Sequence, residues 1–161
     1  MIKDVTSKQD WNQFIGFPWK IYRGNPNWVP PLKLAVKELL SVNKNPFFKH
    51  AYLKAFLAYK NEEVVGRIAA IIDEEHNRFH QEQTGFFGFF ECIDDAQVAE
   101  ELISAATLWL KKRGMSTVRG PVNPSTNHEC GFLVEGFDDP PSVMMTYNPP
   151  YYLKFFEKLG F

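Results

Sequence analysis

The sequence predicts a mixed sheet covered by helices, of the α/β or α+β class. Two observations carry this. Short β-type runs alternate with segments of helical period. One strand–helix–strand unit is long enough for a right-handed crossover between parallel strands. The 161 residues fit one domain spanning 1–161, with 45% hydrophobic residues to fill a core.

Ile2–Val5 reads as a short edge strand. Thr6 and Gln9 then have the spacing of a capping box. Trp11, Phe14, Ile15, Trp19 and Tyr22 follow at helical spacing, and Pro18 must kink or end that helix. Gly24-Asn25-Pro26-Asn27 is turn chemistry. Pro30-Pro31 opens a second helix with Leu32, Val36, Leu39 and Leu40 on one face, closed by Asn43–Pro46. Tyr52–Lys60 and Val64–Ile72 flank Asn61-Glu62-Glu63 as a hairpin. Asp73–Gln83 is polar, with room for a helical turn.

Thr84–Glu91 (TGFFGFFE) is a strand on aromatic and glycine content. Strict alternation puts Phe86, Gly88 and Phe90 on one face and Phe87, Phe89 and Glu91 on the other. Asp94 and Gln97 start the clearest helix, Ala96–Arg113, whose stripe is Val98, Leu102, Ala105, Ala106 and Trp109. Lys111, Lys112 and Arg113 suit its dipole, and Gly114 stops it. Thr117–Val122 is the next strand, Asn123–Tyr147 a long loop, and Tyr151–Leu159 a last helix. The order is β-α-α-β-β-β-α-β-α.

The formal charge of −1 gives no whole-molecule field for nucleic acid or acidic membrane. No apolar run is long enough to span a bilayer, and MIKDVTSKQD has no apolar signal region. Cys92 and Cys130 make neither a disulfide framework nor a metal spacing, so a reduced, cytoplasmic setting is expected. No nucleic acid, membrane or metal partner is expected. His76 and His80 at i, i+4 read either as a metal pair without a third ligand or as a solvated loop. His128, Glu129 and Cys130 lie in the long loop without a supporting nucleophile motif.

The unit from TGFFGFFE through the long helix to TVRGPV, and the ending NPPYYLKFFEKLGF, resemble the GNAT superfamily of N-acyltransferases. FPWKIYRGNPNWVPPL and RGPVNPSTN look like an uncharacterised bacterial group within it. The resemblance implies a GNAT-like fold lacking its last two strands, because two more usually follow the Gly-Phe matched by Gly160-Phe161. It thus implies the N-terminal part of a longer protein, with a homodimer or a missing C-terminal half as partner. The implied activity is transfer of an acyl group from acetyl-CoA or another acyl-CoA to a small-molecule amine. A catalytically inactive recognition or scaffolding domain is the alternative, and a small-molecule binder built on the aromatic loop is a third reading.

The resemblance also assigns residues. Ile93, Ala96, Gln97 and Val98 match the pyrophosphate turn, although it has no glycine and Asp94, Asp95, Glu100 and Glu101 crowd it. Asn123 and Asn148 are candidates for the donor's arm, or for tying down the loop. Glu91 matches a carboxylate base, against the plainer reading of an exposed strand end. Phe156 stands where the family often has a catalytic Tyr, and Tyr152, one turn earlier, is the substitute acid. Trp19, Tyr22, Trp28 and Arg119 are candidate substrate-binding residues; Trp19 and Tyr22 also fit a core stripe. The reading requires Phe86–Glu91 and Thr117–Val122 to part, leaving a groove.

Overall fold

The computed structural model describes residues 1–161. Five strands form one sheet in the order β1-β2-β3-β4-β5: Ile2–Asp4, Ala51–Lys60, Glu63–Asp73, Thr84–Cys92 and Thr117–Arg119. All neighbours are antiparallel except β4 and β5, which pair parallel. The link between those two is helix α5, as the crossover reading requires. The helices are α1 (Lys8–Gly16), α2 (Pro18–Ile21), α3 (Lys33–Leu39), α4 (Glu74–His80), α5 (Ala96–Lys111) and α6 (Tyr151–Lys158). A short hairpin, β6 (Val122–Asn123) with β7 (Glu129–Cys130), lies inside the segment read as a loop.

Pro18 divides the first helix, occupying the first position of α2, where its missing N–H costs nothing. The cap of α1 is Ser7, one residue later than expected. Its hydroxyl accepts from Asp10 N–H at 3.0 Å, while Asp10 Oδ2 accepts from Ser7 N–H at 2.9 Å. Asp10 decides this register: it also takes Lys3 Nζ at 2.9 Å, and these contacts hold its carboxyl well below the usual range. Ser7→Ala is expected to cost about 1 kcal/mol in urea denaturation. The cap of α5 is likewise shifted by one, from Asp94 to Asp95.

The β2–β3 hairpin turns on Asn61 and Glu62, both with positive φ, which matches the right-handed strand twist. Two apolar layers flank the sheet. On one face α5 and α6 pack Leu102, Leu110, Tyr152 and Phe156 against Ile68, Phe87 and Phe90. On the other, Phe14, Ile15 and Leu40 pack against Leu57, Ile71, Phe86 and Phe89. Leu32 stands outside its expected stripe at 78% exposure, because it caps α3 instead of entering it.

These layers overturn the strict alternation read for β4. Arg67 of β3 faces Glu91, yet Ala69 faces Gly88, so three steps on β4 match two on β3. The extra residue is a β-bulge at Phe89, whose φ is +52°. Phe86 and Phe89 therefore share one face, and Phe87 and Phe90 the other.

Candidate functional site

The pairing of β4 with β5 ends at Phe86–Arg119. β4 continues to Cys92, while the other chain turns away at Gly120-Pro121 and returns as β6. The parting is real but partly closed. Gly88 lies so near Val122 that a Cβ there would overlap the Val122 carbonyl. Asn123 Oδ1 accepts from Phe89 N–H at 2.6 Å, so the bulge amide is already engaged. Beyond this plug, a cavity of about 380 Å³ opens against Phe89, Phe90 and Glu91.

Glu91 is the chemical centre of that wall. Tyr22 and Tyr152 each donate a phenolic hydrogen bond to its Oε2 at 2.9 Å. Arg67 Nη2 stands 3.7 Å from Oε1. Arg67 is itself buried, gives Nη1 to Phe14 O at 2.7 Å, and leaves Nε without a partner. Burial outweighs the guanidinium and both phenols, and it pushes the Glu91 carboxyl up to about 7. The plainer reading of an exposed strand end therefore fails: the bulge and three surrounding elements enclose the side chain.

Tyr152 is held from two sides, accepting from Cys92 N–H at 2.7 Å while donating to Glu91. Burial pushes its phenol well above the usual range, as it does for Tyr22. Its proton is directed at Glu91. Phe156 stacks on Phe87 at 5.4 Å and belongs to the core. Tyr22→Phe removes a hydrogen bond to the charged form of Glu91. It is expected to move the pH midpoint of Glu91 upward, as read by carboxyl NMR titration.

The other candidates divide. Tyr22 and Trp28 line the cavity, stacked at 4.8 Å, and Trp19 stands behind them, edge-on to Trp28 at 5.3 Å. Asn123 and Asn148 line it too, with committed side chains. Asn148 Oδ1 takes Leu133 N–H at 2.7 Å, tying the long loop to the start of α6. Arg119 is absent from the cavity wall: it forks onto Glu82 at 3.0 and 3.0 Å. Its place beside Phe86, five residues before Glu91, puts it roughly 15 Å away at strand rise. Glu82 also engages His76 Nε2 at 2.6 Å.

Ile93, Ala96, Gln97 and Val98 also lie outside the cavity wall. Asp95 Oδ1 takes the N–H groups of Gln97 and Val98 at 3.0 and 3.4 Å, and Lys60 pairs with its other oxygen at 3.1 Å. A short carboxylate at the cap thus fills the amide cradle that the resemblance assigns to pyrophosphate. Arg67 and Tyr147 on the cavity wall were not among the sequence candidates for the site; His128 and Glu129, read as a loop trio with Cys130 that no nucleophile motif supports, line the wall too.

Two solved structures of an aminoglycoside acetyltransferase from an uncultured soil metagenomic sample align with this architecture. The complex with sisomicin has a TM-score of 0.52 at 15% identity, covering 76% of each chain. The complex with trehalose has a TM-score of 0.50 at 14% identity, covering 79% of this chain and 80% of that one.

The fold is GNAT-like. No family model matches the chain. Protein YghO of Escherichia coli (strain K12) is 42% identical over 161 residues, which is 100% of this chain and 41% of that protein. The bacterial ceramide synthase of Caulobacter vibrioides is 38% identical over 148 residues, 91% of this chain and 38% of that protein. The chain spans about two fifths of the length of these curated relatives.

Proposed function

We propose that the chain is an N-acyltransferase domain of a longer protein, acting on a primary amine with an acyl-CoA as donor. A buried carboxylate with its pKa near 7, on the wall of an apolar cavity in a GNAT-like sheet, is the observation that carries this reading. A general base works best when its pKa lies near the working pH. Glu91 meets that condition through burial, and its two phenols fix its orientation.

The two oxygens of Glu91 have different tasks. Oε2 accepts from both Tyr22 and Tyr152. Oε1 meets only the Arg67 guanidinium, at 3.7 Å, and keeps lone-pair capacity. The proton of an ammonium group in the cavity is therefore taken at Oε1. Tyr152 and Tyr22 act as positioning residues, and Arg67 offsets part of the burial that disfavours the charged carboxylate before the amine arrives.

With a thioester bound, the freed amine would attack its acyl carbon; the C–S bond then breaks, and the leaving sulfur takes up the proton that the attacking nitrogen gives up, so amide and thiol are the products. The start of α5 does not fit the donor's pyrophosphate: Gln97 and Val98 have given their amides to Asp95, and Asp94, Glu100 and Glu101 add like charge. Phosphate recognition is therefore not assigned there.

Val36, Leu39, Phe90, Phe132 and Met145 give the cavity an apolar body around two carboxylates, Glu91 and Glu129. That combination suits an amphiphilic amine. The Caulobacter relative is named for making ceramide, an amide of a long-chain amino alcohol, which supports the same acceptor class here. The test is mass-spectrometric detection of amide when long-chain and short-chain primary amines are offered with acetyl-CoA and longer acyl-CoAs. Amide from the long-chain amine is expected. Absence of amide from every pair, in a folded full-length protein, overturns the reading.

The engaged bulge amide and the filled cradle favour a second reading, a GNAT-like recognition domain without catalysis. It predicts amine binding, seen by calorimetry, with no product from any thioester.

A further inference from the structure

We propose that the segment from Lys20 to Lys44 is a docking surface for an anionic lipid bilayer. This goes beyond the reaction and is read without turnover. The segment carries Lys20, Arg23, Lys33, Lys37 and Lys44 against one carboxylate, Glu38, in a chain whose formal charge is −1. Lys20 and Lys44 have ion-pair partners, Glu63 and Glu38, whereas Arg23, Lys33 and Lys37 have none. The whole-molecule charge concealed this local excess.

The same segment leaves large apolar side chains in water. Val29 is 60% exposed, Leu32 78%, Leu34 67% and Val42 69%, and α3 contains no buried residue. A short helix whose unburied apolar residues alternate with cations is the composition of an interfacial anchor. The apolar side chains enter the headgroup boundary, and the cations meet anionic headgroups. No helix of the chain is long and apolar enough to cross a membrane, so the contact is peripheral.

The surface is continuous with the cavity. Val29 and Pro31 line the cavity and belong to this segment. Met144 and Met145 of the long loop also line the cavity, and that loop holds Glu135, Asp138 and Asp139. The cationic segment is therefore the one that meets the bilayer, and docking brings the cavity mouth to the headgroup layer.

The experiment is co-sedimentation of the full chain with phosphatidylcholine vesicles, with and without phosphatidylglycerol. Binding is expected only when phosphatidylglycerol is present, and it should weaken as NaCl rises from about 0.05 to about 0.5 M. Replacing Arg23, Lys33 or Lys37 by Ala should lower the partition coefficient about fivefold for each cation. Leu32→Ser should lower it on the order of tenfold. Val42→Ser is a second apolar variant, and circular dichroism melts confirm that each variant is folded. A folded wild-type protein that stays in the supernatant with anionic vesicles overturns the proposal. So does equal binding to both vesicle types, unaffected by the cation variants. A concentration-dependent dimer that Leu32→Ser disperses, with no vesicle binding, assigns the patch to a second copy and likewise overturns it.

Discussion

Glu91→Gln is expected to lower kcat/KM for amine acylation by roughly two to four orders of magnitude, the usual contribution of a positioned general base. The amide is nearly the same shape and still accepts from Tyr22 and Tyr152, so the loss isolates proton uptake. For the wild type, kcat/KM should rise with pH and level off above about 7, as Glu91 loses its proton. That limb should vanish in the variant. Stability moves the opposite way. Glu91 is raised from 4.5 to about 7, so the folded state binds its proton more tightly than the unfolded state does. Its stabilising contribution is present below about 4.5 and is lost as pH rises through 7, a change of about 3 kcal/mol. Urea denaturation at pH 5 and pH 8 should show this loss in the wild type and not in Glu91→Gln. Activity retained within a few-fold would remove Glu91 from the base role.

The strength of this expectation rests on contacts far apart in sequence. Tyr22, Arg67, Glu91 and Tyr152 come from α2's end, β3, β4 and α6, and no local spacing joins them. Glu91 and Tyr152 were legible individually, by their places in the GNAT-like pattern. Their meeting at one oxygen was not. Arg67 went unnoticed because an arginine inside an apolar strand gives no periodic signal; only the register opposite Glu91 reveals its purpose. Arg119 shows the reverse failure. Its position beside the parting strands suggested the cavity, but Glu82 offers a two-pronged partner at the other end of β4.

Local structure was legible where one signal dominated. The 16-residue helix α5 was clear from its period, although Ala105 and Trp109 of the expected stripe are only partly buried while Ala99, Ile103 and Leu110 are buried; the Asn61 turn was clear from its flanking strands. Both disputed caps slipped by one residue, because adjacent candidates had equal capping chemistry. The choice fell to partners elsewhere, Lys3 through Asp10 for Ser7 and Lys60 for Asp95. The long loop hid the most. Proline and glycine announce irregular chain without saying where it goes, and this one folds a β6–β7 hairpin over the bulge.

Gly88→Ala is expected to be the most damaging of the glycine substitutions, on the order of 3 kcal/mol or more in urea denaturation. The added methyl would overlap the Val122 carbonyl, a backbone atom held by the β6–β7 pairing and by Asn123 on the Phe89 amide. Neither chain can yield without breaking one of those contacts. Gly66 and Gly85 make the comparison. The tightest contacts of a methyl there are with side-chain carbons, Leu102 Cδ1 at 2.7 Å and Leu110 Cδ2 at 2.5 Å, and the one backbone neighbour, Glu91 O, stands 3.1 Å from the Gly66 position. Leucine tips rotate or shift, so those variants should cost less than half as much. The difference is also functional. Phe89 keeps a φ of +52°, a conformation that costs a bulky residue on the order of 1–2 kcal/mol and persists only while its surroundings hold it. Pushing Val122 and Asn123 away frees the Phe89 amide and relaxes the bulge. Glu91 would then turn from Tyr22 and Tyr152, and its pH midpoint would fall toward 4.5 as water enters. A Gly88→Ala protein as stable as Gly85→Ala, with the Glu91 midpoint still near 7, would show that the plug does not hold the bulge in place.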